Sequence, residues 1–351
     1  RDRHHPSRAR ETRGVLGGGA PRDTDPSRDV RPSGLPTRQL EGRTRRGVGL
    51  LTSYLLIVNP IAGRTGAPRK ARALRDRLAR SSAVHVVETT HRGSAIQIAS
   101  SAGSEVDRVI AVGGDGTLNE VLTGLISLGR PARETPALGF LAAGTANAAV
   151  HAFGFNSSVQ STARALPTAL VRAVDVGLVR FGDDERPFLL WCGAGFDAVL
   201  IDELNTSRTG HMGLSGFVRS TPRVLRALAR YHAPPIRTEI DGDSVGDASS
   251  VVLANVAKMA FGRTVVETAD PFDGKLDVVA IDPAPWPKLV GLGVRMLTSS
   301  LGGARGTRHR LATSVRLSAE GNVPVHLDGE PVGSLPISVR LQPGAIRLLL
   351  T

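Results

Sequence analysis

The chain has 351 residues, which is enough for two domains with separate hydrophobic cores. Aromatic residues make up only 4% of it and the formal net charge is +12. Without a zinc-finger spacing or interleaved aromatic residues, this positive charge does not indicate a nucleic-acid-binding protein. No stretch reaches the ~18 uninterrupted apolar residues of a membrane span. The single cysteine, Cys192, excludes an internal disulfide and is expected in the core.

The first 50 residues contain twelve arginines and six acidic residues and show no hydrophobic periodicity. This composition predicts a disordered, Arg-rich segment over residues 1–51. A polybasic arm attracted to anionic lipid is the alternative interpretation.

The next part of the chain alternates apolar strand patterns with amphipathic helix patterns. In chain order these are a strand at 54–58, a helix at 68–80, a strand at 84–89, a helix at 94–101, a strand at 108–112, a helix at 118–128, a strand at 137–141 and a helix through His151. Such alternation predicts a parallel sheet with helices on both faces, a three-layer α/β domain. We assign residues 52–173 to it, completed by a final strand within residues 340–351.

Beyond residue 174 the pattern changes to short apolar runs separated by Gly, Asp and Pro. Strands are expected at 175–179, 188–192, 250–255, 276–281 and 314–317, with helical insertions at 216–231 and 286–301. Closely spaced strands with few helices predict an antiparallel β domain over residues 174–339.

The strand at 108–112 runs into a glycine turn, Gly113-Gly114-Asp115-Gly116, before the helical pattern that begins at Thr117. Glycines allow the main chain to approach a ligand closely, and the helix N-terminus adds unpaired N–H donors. The turn therefore predicts an anion cradle. Asp115 in that position would repel a phosphate, so we expect either a cation between the two or a side chain that caps a helix.

Two further strands end in similar loops. Asn59-Pro60-Ile61-Ala62-Gly63 follows the first strand, and Gly144-Thr145-Ala146-Asn147 follows the strand at 137–141. Because the carboxyl ends of parallel strands lie at one edge of a sheet, the three loops should meet there. Together they predict a nucleotide-phosphate site.

With two later motifs, Gly193-Ala194-Gly195-Phe196-Asp197-Ala198 and Leu327-Asp328-Gly329-Glu330, these loops occur in an order that resembles the diacylglycerol kinase catalytic domain family. The resemblance covers about residues 53–351 and is to the bacterial soluble lipid kinases of that family. NAD kinases share the Gly-Gly-Asp-Gly element. The Gly-Thr-x-Asn loop and the late Asp-Gly-Glu favour the lipid kinases.

The resemblance implies a nucleotide domain similar to that of phosphofructokinase, a β-sandwich domain, and an ATP- and Mg²⁺-dependent kinase of a lipid alcohol such as diacylglycerol. Its implied nucleotide contacts are Asn59, Thr90, Gly113, Gly114, Asp115, Gly116, Thr117, Asn119, Glu120, Gly144, Thr145 and Asn147. Asp328 and Glu330 match the pair that activates the lipid hydroxyl. Asp273 matches a structural Mg²⁺ site that the carbonyls of Asp270 and Lys275 would complete.

The sequence departs from the family pattern at Ala148, where an aspartate often follows the Gly-Thr-x-Asn loop. A polar link near the nucleotide is missing there. Two alternative functions therefore remain: a nucleotide-binding protein without turnover, and an NAD kinase. The expected partners are ATP and a lipid alcohol at a membrane surface, and no nucleic acid. A homodimer is compatible with the sequence. The expected location is cytoplasmic, with peripheral membrane association. Asp197 is left as either a cleft residue or a cap.

Overall fold

The computed structural model of the protein describes residues 51–351 except 64–65, 145–146, 207–221, 224–225, 228–229, 232–233, 260–261, 286, 289–290, 293–300 and 302. The expected disordered segment at 1–50 lies outside these residues, as does most of the two helical insertions expected at 216–231 and 286–301. No described helix combines the length and apolar character that a transmembrane span requires.

The first half of the described chain alternates strands and helices. Its elements are β1 (Ser53–Val58), α1 (Gly66–Leu78), β2 (Ala83–Glu88), α2 (Ser94–Ser100), β3 (Arg108–Gly113), α3 (Asp115–Ile126), β4 (Ala137–Ala142), α4 (Ala148–Phe153) and α5 (Val159–Ala165). The four strands are parallel in the order β2-β1-β3-β4.

Alternate residues of β1 face two different helical layers. Ile57 packs in the same core as Leu122 of α3, whereas Leu56 packs with Leu74 of α1. Since successive side chains of a strand point to opposite faces, a strand covered on both sides must bury nearly all of its residues, as β1 does from Tyr54 to Val58. The predicted three-layer α/β architecture is confirmed.

The second half consists mainly of strands. Its elements are β5 (Leu170–Phe181), β6 (Asp184–Phe188), β7 (Trp191–Gly195), α6 (Phe196–Thr206), β8 (Ile236–Ile240), β9 (Asp243–Ala248), β10 (Ser250–Ala254), β11 (Leu276–Ile281), β12 (Thr307–Ala312), β13 (Ser314–Ala319), β14 (Pro324–Leu327), β15 (Glu330–Ser334) and β16 (Ile337–Leu350). A wholly antiparallel sheet has the order β12-β11-β10-β7-β14-β15.

The other sheet is mixed and continues the parallel strands in the order β2-β1-β3-β4-β16-β13-β8-β9, with β5 beside β16 and β6 beside β5. The long strand β16 joins the two halves, because Leu348 pairs in parallel with Leu138 of β4 while β16 also pairs antiparallel with β5 and β13.

The antiparallel strands of the two sheets share an apolar core. Val179 and Val339 of the mixed sheet lie in one buried cluster with Cys192 and Val251 of the antiparallel sheet. Two sheets packed through such a core form a β-sandwich. The predicted β-sandwich is therefore confirmed. Cys192 lies in its core, as expected, and burial raises the pKa of the thiol.

The single strand predicted at 188–192 is wrong in one respect. β6 ends at Phe188 and β7 begins at Trp191, so the run is broken at Leu189 and Leu190. The backbone N–H groups of both residues donate hydrogen bonds to the carboxylate of Asp328 instead of to a neighbouring strand.

The helix after the glycine turn also begins earlier than expected, at Asp115 instead of Thr117. Gly114 is extended and acts as its N-cap residue.

Candidate active site

Three loops meet at the carboxyl-terminal edge of β1, β3 and β4. The N–H of Asn59 donates to the carbonyl of Val112 at 3.0 Å, which places the first loop against β3. The carbonyl of Gly113 accepts from Ala143 at 2.6 Å and from Gly144 at 3.1 Å. The main chains of the three loops are thus joined directly to one another.

Two positions in these loops require glycine because the backbones approach so closely. A Cβ atom added to Gly144 would lie 2.6 Å from the Cα of Gly114. A Cβ on Gly63, whose φ is +60°, would lie 2.2 Å from the carbonyl oxygen of Ala143. Such distances are impossible between main-chain atoms and a side chain, so these glycines hold the loops in contact.

Asp115 caps a helix other than its own. Its Oδ2 accepts from the N–H of Ala148 at 3.0 Å and its Oδ1 from Ala149 at 3.1 Å, in the first turn of α4. Of the two roles considered for Asp115, the structure therefore has the cap. Asp115 binds the backbone N–H of Ala148. This hydrogen bond therefore does not require the aspartate side chain that the family pattern often has at this position.

Glu120 has a comparable structural role at a second helix. Its carboxylate accepts from the N–H groups of Gly93, at 3.0 Å, and Ala95, at 3.3 Å. These groups belong to the N-terminal turn of α2 and the loop before it, which carries Thr90 and Arg92. Glu120 thus attaches that loop to α3.

Asp328 lies in a two-residue turn between β14 and β15. Its φ is +50° and that of Gly329 is +86°, the pattern of a type I′ hairpin turn. The carboxylate accepts hydrogen bonds from the backbone of Leu189, Leu190 and Trp191 at 2.8 to 2.9 Å.

A fourth donor reaches Asp328 from the glycine-loop helix. Nδ2 of Asn119 lies 3.0 Å from Oδ2 of Asp328 and 3.2 Å from the carbonyl of Pro187. Burial raises the pKa of Asp328, although the four donated hydrogen bonds oppose that rise. One carboxylate therefore connects α3, the break between β6 and β7, and the turn that precedes Glu330.

Asp328 and Glu330 are the two acids that the family resemblance assigns to the lipid hydroxyl. Of the two, Glu330 faces open space. Its side chain is 44% exposed, and its Oε2 lies 3.8 Å from Nη2 of Arg92. Its Oε1 lies 3.8 Å from the position of a Cβ added to Gly116, which places the carboxylate beside the first turn of α3.

The glycine loops, Asn119 and Glu330 face a cleft of about 900 Å³, whereas Asp328 does not line it. It is lined by residues from both halves of the chain, because Glu185, Leu327 and Val332 face it together with the glycine loops. The sequence-predicted site residues that line it are Asn59, Thr90, Gly114, Gly116, Thr117, Asn119, Glu120, Gly144 and Glu330.

Three other predicted nucleotide contacts do not line the cleft. Gly113 and Asp115 support the loops from behind. Asn147, at a φ of +46°, donates its Nδ2 to the carbonyl of Gly144 at 2.9 Å. The buried Oδ1 of Asn147 accepts no hydrogen bond from the described residues. Thr145 lies outside the part of the chain that the structure describes.

Comparison with known proteins assigns both halves of the chain. The profile of the diacylglycerol kinase catalytic domain matches residues 53–179. The profile of the YegS C-terminal NAD kinase beta sandwich-like domain matches residues 191–350. Residues 53–179 are therefore a diacylglycerol kinase catalytic domain, and a YegS-type sandwich domain follows it.

Individual family members are similar over most of the chain. A diacylglycerol kinase of Mycobacterium tuberculosis (strain H37Rv) is 24% identical over 317 residues, which cover 87% of this chain and 96% of that protein. The Yersinia pestis (strain Pestoides F) protein named "Probable lipid kinase YegS-like" is 28% identical over 304 residues, 84% of this chain and 96% of that one.

A crystal structure of a diacylglycerol kinase from Bacillus anthracis has the same fold. Its TM-score is 0.64 at 21% identity, covering 85% of this chain and 97% of that one.

The residues that the family resemblance assigns to a structural Mg²⁺ site lie before β11 and do not line the cleft. Asp273 accepts from the N–H of Lys275 at 2.8 Å, and Asp270 accepts from Phe272 at 3.1 Å. Partial burial raises the pKa of Asp273, and the negative charges of Asp270 and other nearby aspartates raise it further. Within the described residues, no three or more His, Cys, Asp or Glu side chains are arranged to hold a metal.

Asp197, from the family's Gly-Ala-Gly-Phe-Asp motif, is neither a cleft residue nor a helix cap. It is buried, and its carboxylate lies 2.9 Å from the Ser250 hydroxyl and 3.1 Å from Nε2 of His326. A Cβ on Gly193 would lie 1.8 Å from this carboxylate, so the motif's first glycine makes space for it.

Sequence reasoning missed four charged residues of the cleft wall: Arg92, and Asp184, Glu185 and Arg186 of β6. Arg92 follows the predicted contact Thr90 within one loop, so its position was the available signal. The other three come from the β5–β6 hairpin, and no motif marks them.

Proposed function

We propose that this family member transfers the γ-phosphate of ATP to the hydroxyl of a lipid alcohol, with diacylglycerol as the acceptor and phosphatidic acid as the product. The observation that carries the proposal is that one cleft combines three joined glycine loops with an open carboxylate, Glu330, beside the N-terminus of α3. Phosphoryl transfer requires positioning, charge stabilisation and an acceptor for the hydroxyl proton.

The residues present fit a nucleotide triphosphate. Backbone N–H groups of Gly114 and Gly116 and the positive end of α3 suit phosphate oxygens. The proposed ATP therefore lies across the glycine loops.

The proposed acid pair has divided roles. Glu330 faces the cleft and can accept the proton of an incoming hydroxyl, while Asp328 fixes the turn that presents it. A lipid acceptor implies that the enzyme works at a membrane surface from the cytoplasmic side.

Mg²⁺, when bound, would neutralise phosphate charge during transfer. For the separate structural site, Asp273 would supply a carboxylate and Asp270 and Lys275 would supply carbonyls. Burial is the main cause of the raised pKa of Asp273, and the neighbouring carboxylates, whose repulsion a bound cation would relieve, add to it.

The test of the function is transfer of ³²P from γ-labelled ATP, with Mg²⁺, to lipid alcohols in mixed micelles. Diacylglycerol, a sphingoid base and a monoacylglycerol form the panel, and NAD in buffer is a separate arm. Label in phosphatidic acid supports the proposal. Label in NAD instead supports an NAD kinase, and ATP binding without any labelled product supports a protein without turnover.

The proposed Mg²⁺ site makes a stability prediction. Because folding raises the pKa of Asp273, this group's contribution to stability falls as the pH rises from its ordinary pKa through the raised value, and the penalty persists at pH 7. Asp273→Asn should therefore melt slightly above the wild type at pH 7 when Mg²⁺ is removed by EDTA. Calorimetry over a pH series measures this.

Adding Mg²⁺ should reverse that order. At a hundredfold excess over its Kd, Mg²⁺ stabilises the wild type by about 2.7 kcal/mol, or about 5 °C in Tm, and leaves Asp273→Asn unchanged. Asp183→Asn, which changes an exposed carboxylate of the β5–β6 turn, is the matched control. An equal Mg²⁺ response in all three proteins would rule out the assignment to Asp273.

A further inference from the structure

A second cavity lies at the opposite edge of the parallel sheet from the glycine loops. Its volume is about 680 Å³. Thr52, Asp107 and Ala137 line it, and these residues stand at or just before the starts of β1, β3 and β4. The length of a six-residue strand, about 20 Å, therefore separates this cavity from the candidate active site.

The cavity is lined by four arginines, and we call it the arginine pocket. They are Arg108, Arg130, Arg133 and Arg347. The chain segments that bring them together are the start of β3, the loop before β4 and the end of β16, which are distant in sequence.

Arg108 is half-buried, and the groups that bind it among the described residues are neutral. Its guanidinium carbon lies 5.6 Å from the centre of the Tyr54 ring. Its Nη1 donates to the Tyr54 hydroxyl at 3.2 Å and to the carbonyl of Leu166. Burial raises the pKa of Tyr54, so that hydroxyl carries no charge at neutral pH. These contacts fix the orientation of the guanidinium without forming an ion pair.

Arg347 is held in a similar way on the other side. Its Nη2 donates to the carbonyl of Thr135 at 2.7 Å. Its Nε is buried and has no acceptor among the described residues. The guanidinium is thus held in place by a neutral carbonyl.

The pocket contains two acids, Asp107 and Glu134, against four arginines, so two positive charges remain in excess. Oδ2 of Asp107 accepts from the N–H of Ser53 at 2.8 Å, and Glu134 pairs with Arg133 at 3.2 Å. Both members of the second pair are largely exposed, so it contributes little.

The remaining three arginines form no ion pair within the described part of the chain. Arg108 and Arg347 are oriented toward a common space by neutral acceptors, and Arg130 is exposed at its rim. Partly desolvated guanidinium groups that form no ion pair, in a pocket with two excess positive charges, suit an anion from outside the chain.

We propose that the arginine pocket binds a phosphate group, carried either by a soluble phosphorylated compound or by the headgroup of an anionic phospholipid. The planar guanidinium forms paired hydrogen bonds with phosphate oxygens, and several arginines together suit a doubly charged group. The volume of the pocket exceeds that of a phosphate ion, so the ligand has room for the group that bears it. Val171, 39% exposed, lines the same pocket and offers an apolar contact.

This site is independent of the proposed kinase activity. Among the described residues, none lines both the arginine pocket and the catalytic cleft. The two can therefore be occupied at once, and a change in one need not alter the other.

The test is calorimetric titration of the full chain with inorganic phosphate and co-sedimentation with vesicles. The vesicles are an equal mixture of phosphatidylglycerol and phosphatidylcholine, with phosphatidylcholine alone for comparison. The variants are Arg130→Gln and the double variant Arg130→Gln/Arg347→Gln. Arg72→Gln, an exposed arginine on α1, is the matched control, and ATP affinity is measured on every protein.

We expect the double variant to lose at least tenfold in affinity for phosphate or for the anionic vesicles, while Arg72→Gln and all ATP affinities stay unchanged. A loss for inorganic phosphate identifies a soluble ligand, and a loss for the vesicles alone identifies a lipid headgroup. Arg130→Gln, which removes an exposed side chain, decides the question if the double variant does not fold. The proposal would be overturned if a folded variant bound both probes as tightly as the wild type does.

Discussion

Replacing Asp328 by asparagine is expected to reduce phosphoryl transfer by about a thousandfold and to lower the free energy of unfolding by about 2–4 kcal/mol. The carboxylate accepts from three consecutive backbone N–H groups and from Asn119. A carboxamide would turn its own N–H₂ toward some of these donors and leave them unpaired. The measurements are ³²P transfer and urea unfolding on the same preparation.

Glu330→Gln separates chemistry from structure. Its side chain is 44% exposed and its contact with Arg92 is long, at 3.8 Å, so its stability should change by less than about 0.5 kcal/mol. Transfer should nevertheless fall by about a hundredfold if Glu330 takes the hydroxyl proton. Equal loss of stability in both variants would contradict the division of roles between the two acids.

The chain supplies a matched control for Asp328 in a second hairpin. Asp241 and Gly242 join β8 to β9 with φ values of +49° and +94°, the same turn pattern as Asp328 and Gly329. The Asp241 carboxylate also accepts backbone N–H groups, from Thr313 and Ser314. Asp241→Asn should therefore lower stability while phosphoryl transfer stays at the wild-type level.

The two hairpin aspartates should respond to pH in opposite directions. Burial raises the pKa of Asp328, so its contribution to stability falls as pH rises from the ordinary carboxyl value through the raised one. At Asp241 burial also acts to raise the pKa, but hydrogen bonds from Thr313 and Ser314 outweigh it and lower the pKa. The stability that Asp241 contributes is present above its ordinary pKa and is lost as the pH falls through the lowered value.

Gly144→Ala is expected to weaken ATP binding by about a hundredfold. The added Cβ would lie 2.6 Å from the Cα of Gly114 and 3.0 Å from Oδ1 of Asn147. The first of these is a main-chain atom, so two of the glycine loops must separate, at a cost of about 1–3 kcal/mol. Displaced loops no longer direct their N–H groups to one phosphate chain. Calorimetry with a non-hydrolysable ATP analogue measures the change.

Gly66→Ala is the control for this substitution. A Cβ at Gly66, the first residue of α1, meets no atom within 4 Å. Its ATP affinity should equal that of the wild type. If Gly144→Ala folds and binds the analogue as tightly as Gly66→Ala does, the glycine loops are not the nucleotide site.

Local patterns determined the architecture. The apolar run of β3 and the glycines after it predicted a strand, a turn and a helix, and the structure has them. The order of these elements also predicted that Asn59, Gly114 and Gly144 would lie at one edge of a parallel sheet. These inferences succeed because strand pairing, helix amphipathicity and backbone freedom at glycine depend on residues that are near one another in sequence.

Only the tertiary structure decided what the charged side chains of the site do. Asp115 and Glu120 lie in the glycine motif, yet each binds the N-terminus of another helix, α4 and α2 respectively. The break at Leu189 could not be read from its apolar surroundings, because its cause, Asp328, lies 139 residues further along the chain.

The arginine pocket was equally hidden in the sequence. Arg108 and Arg347 stand in unrelated strands, and an arginine in a strand gives no sign of whether a carboxylate will lie beside it. The sequence determined the elements and the edge at which the loops meet, since both follow from short-range geometry. The partners of each charged group depend on long-range packing, which places a donor or an acceptor only when the chain is folded.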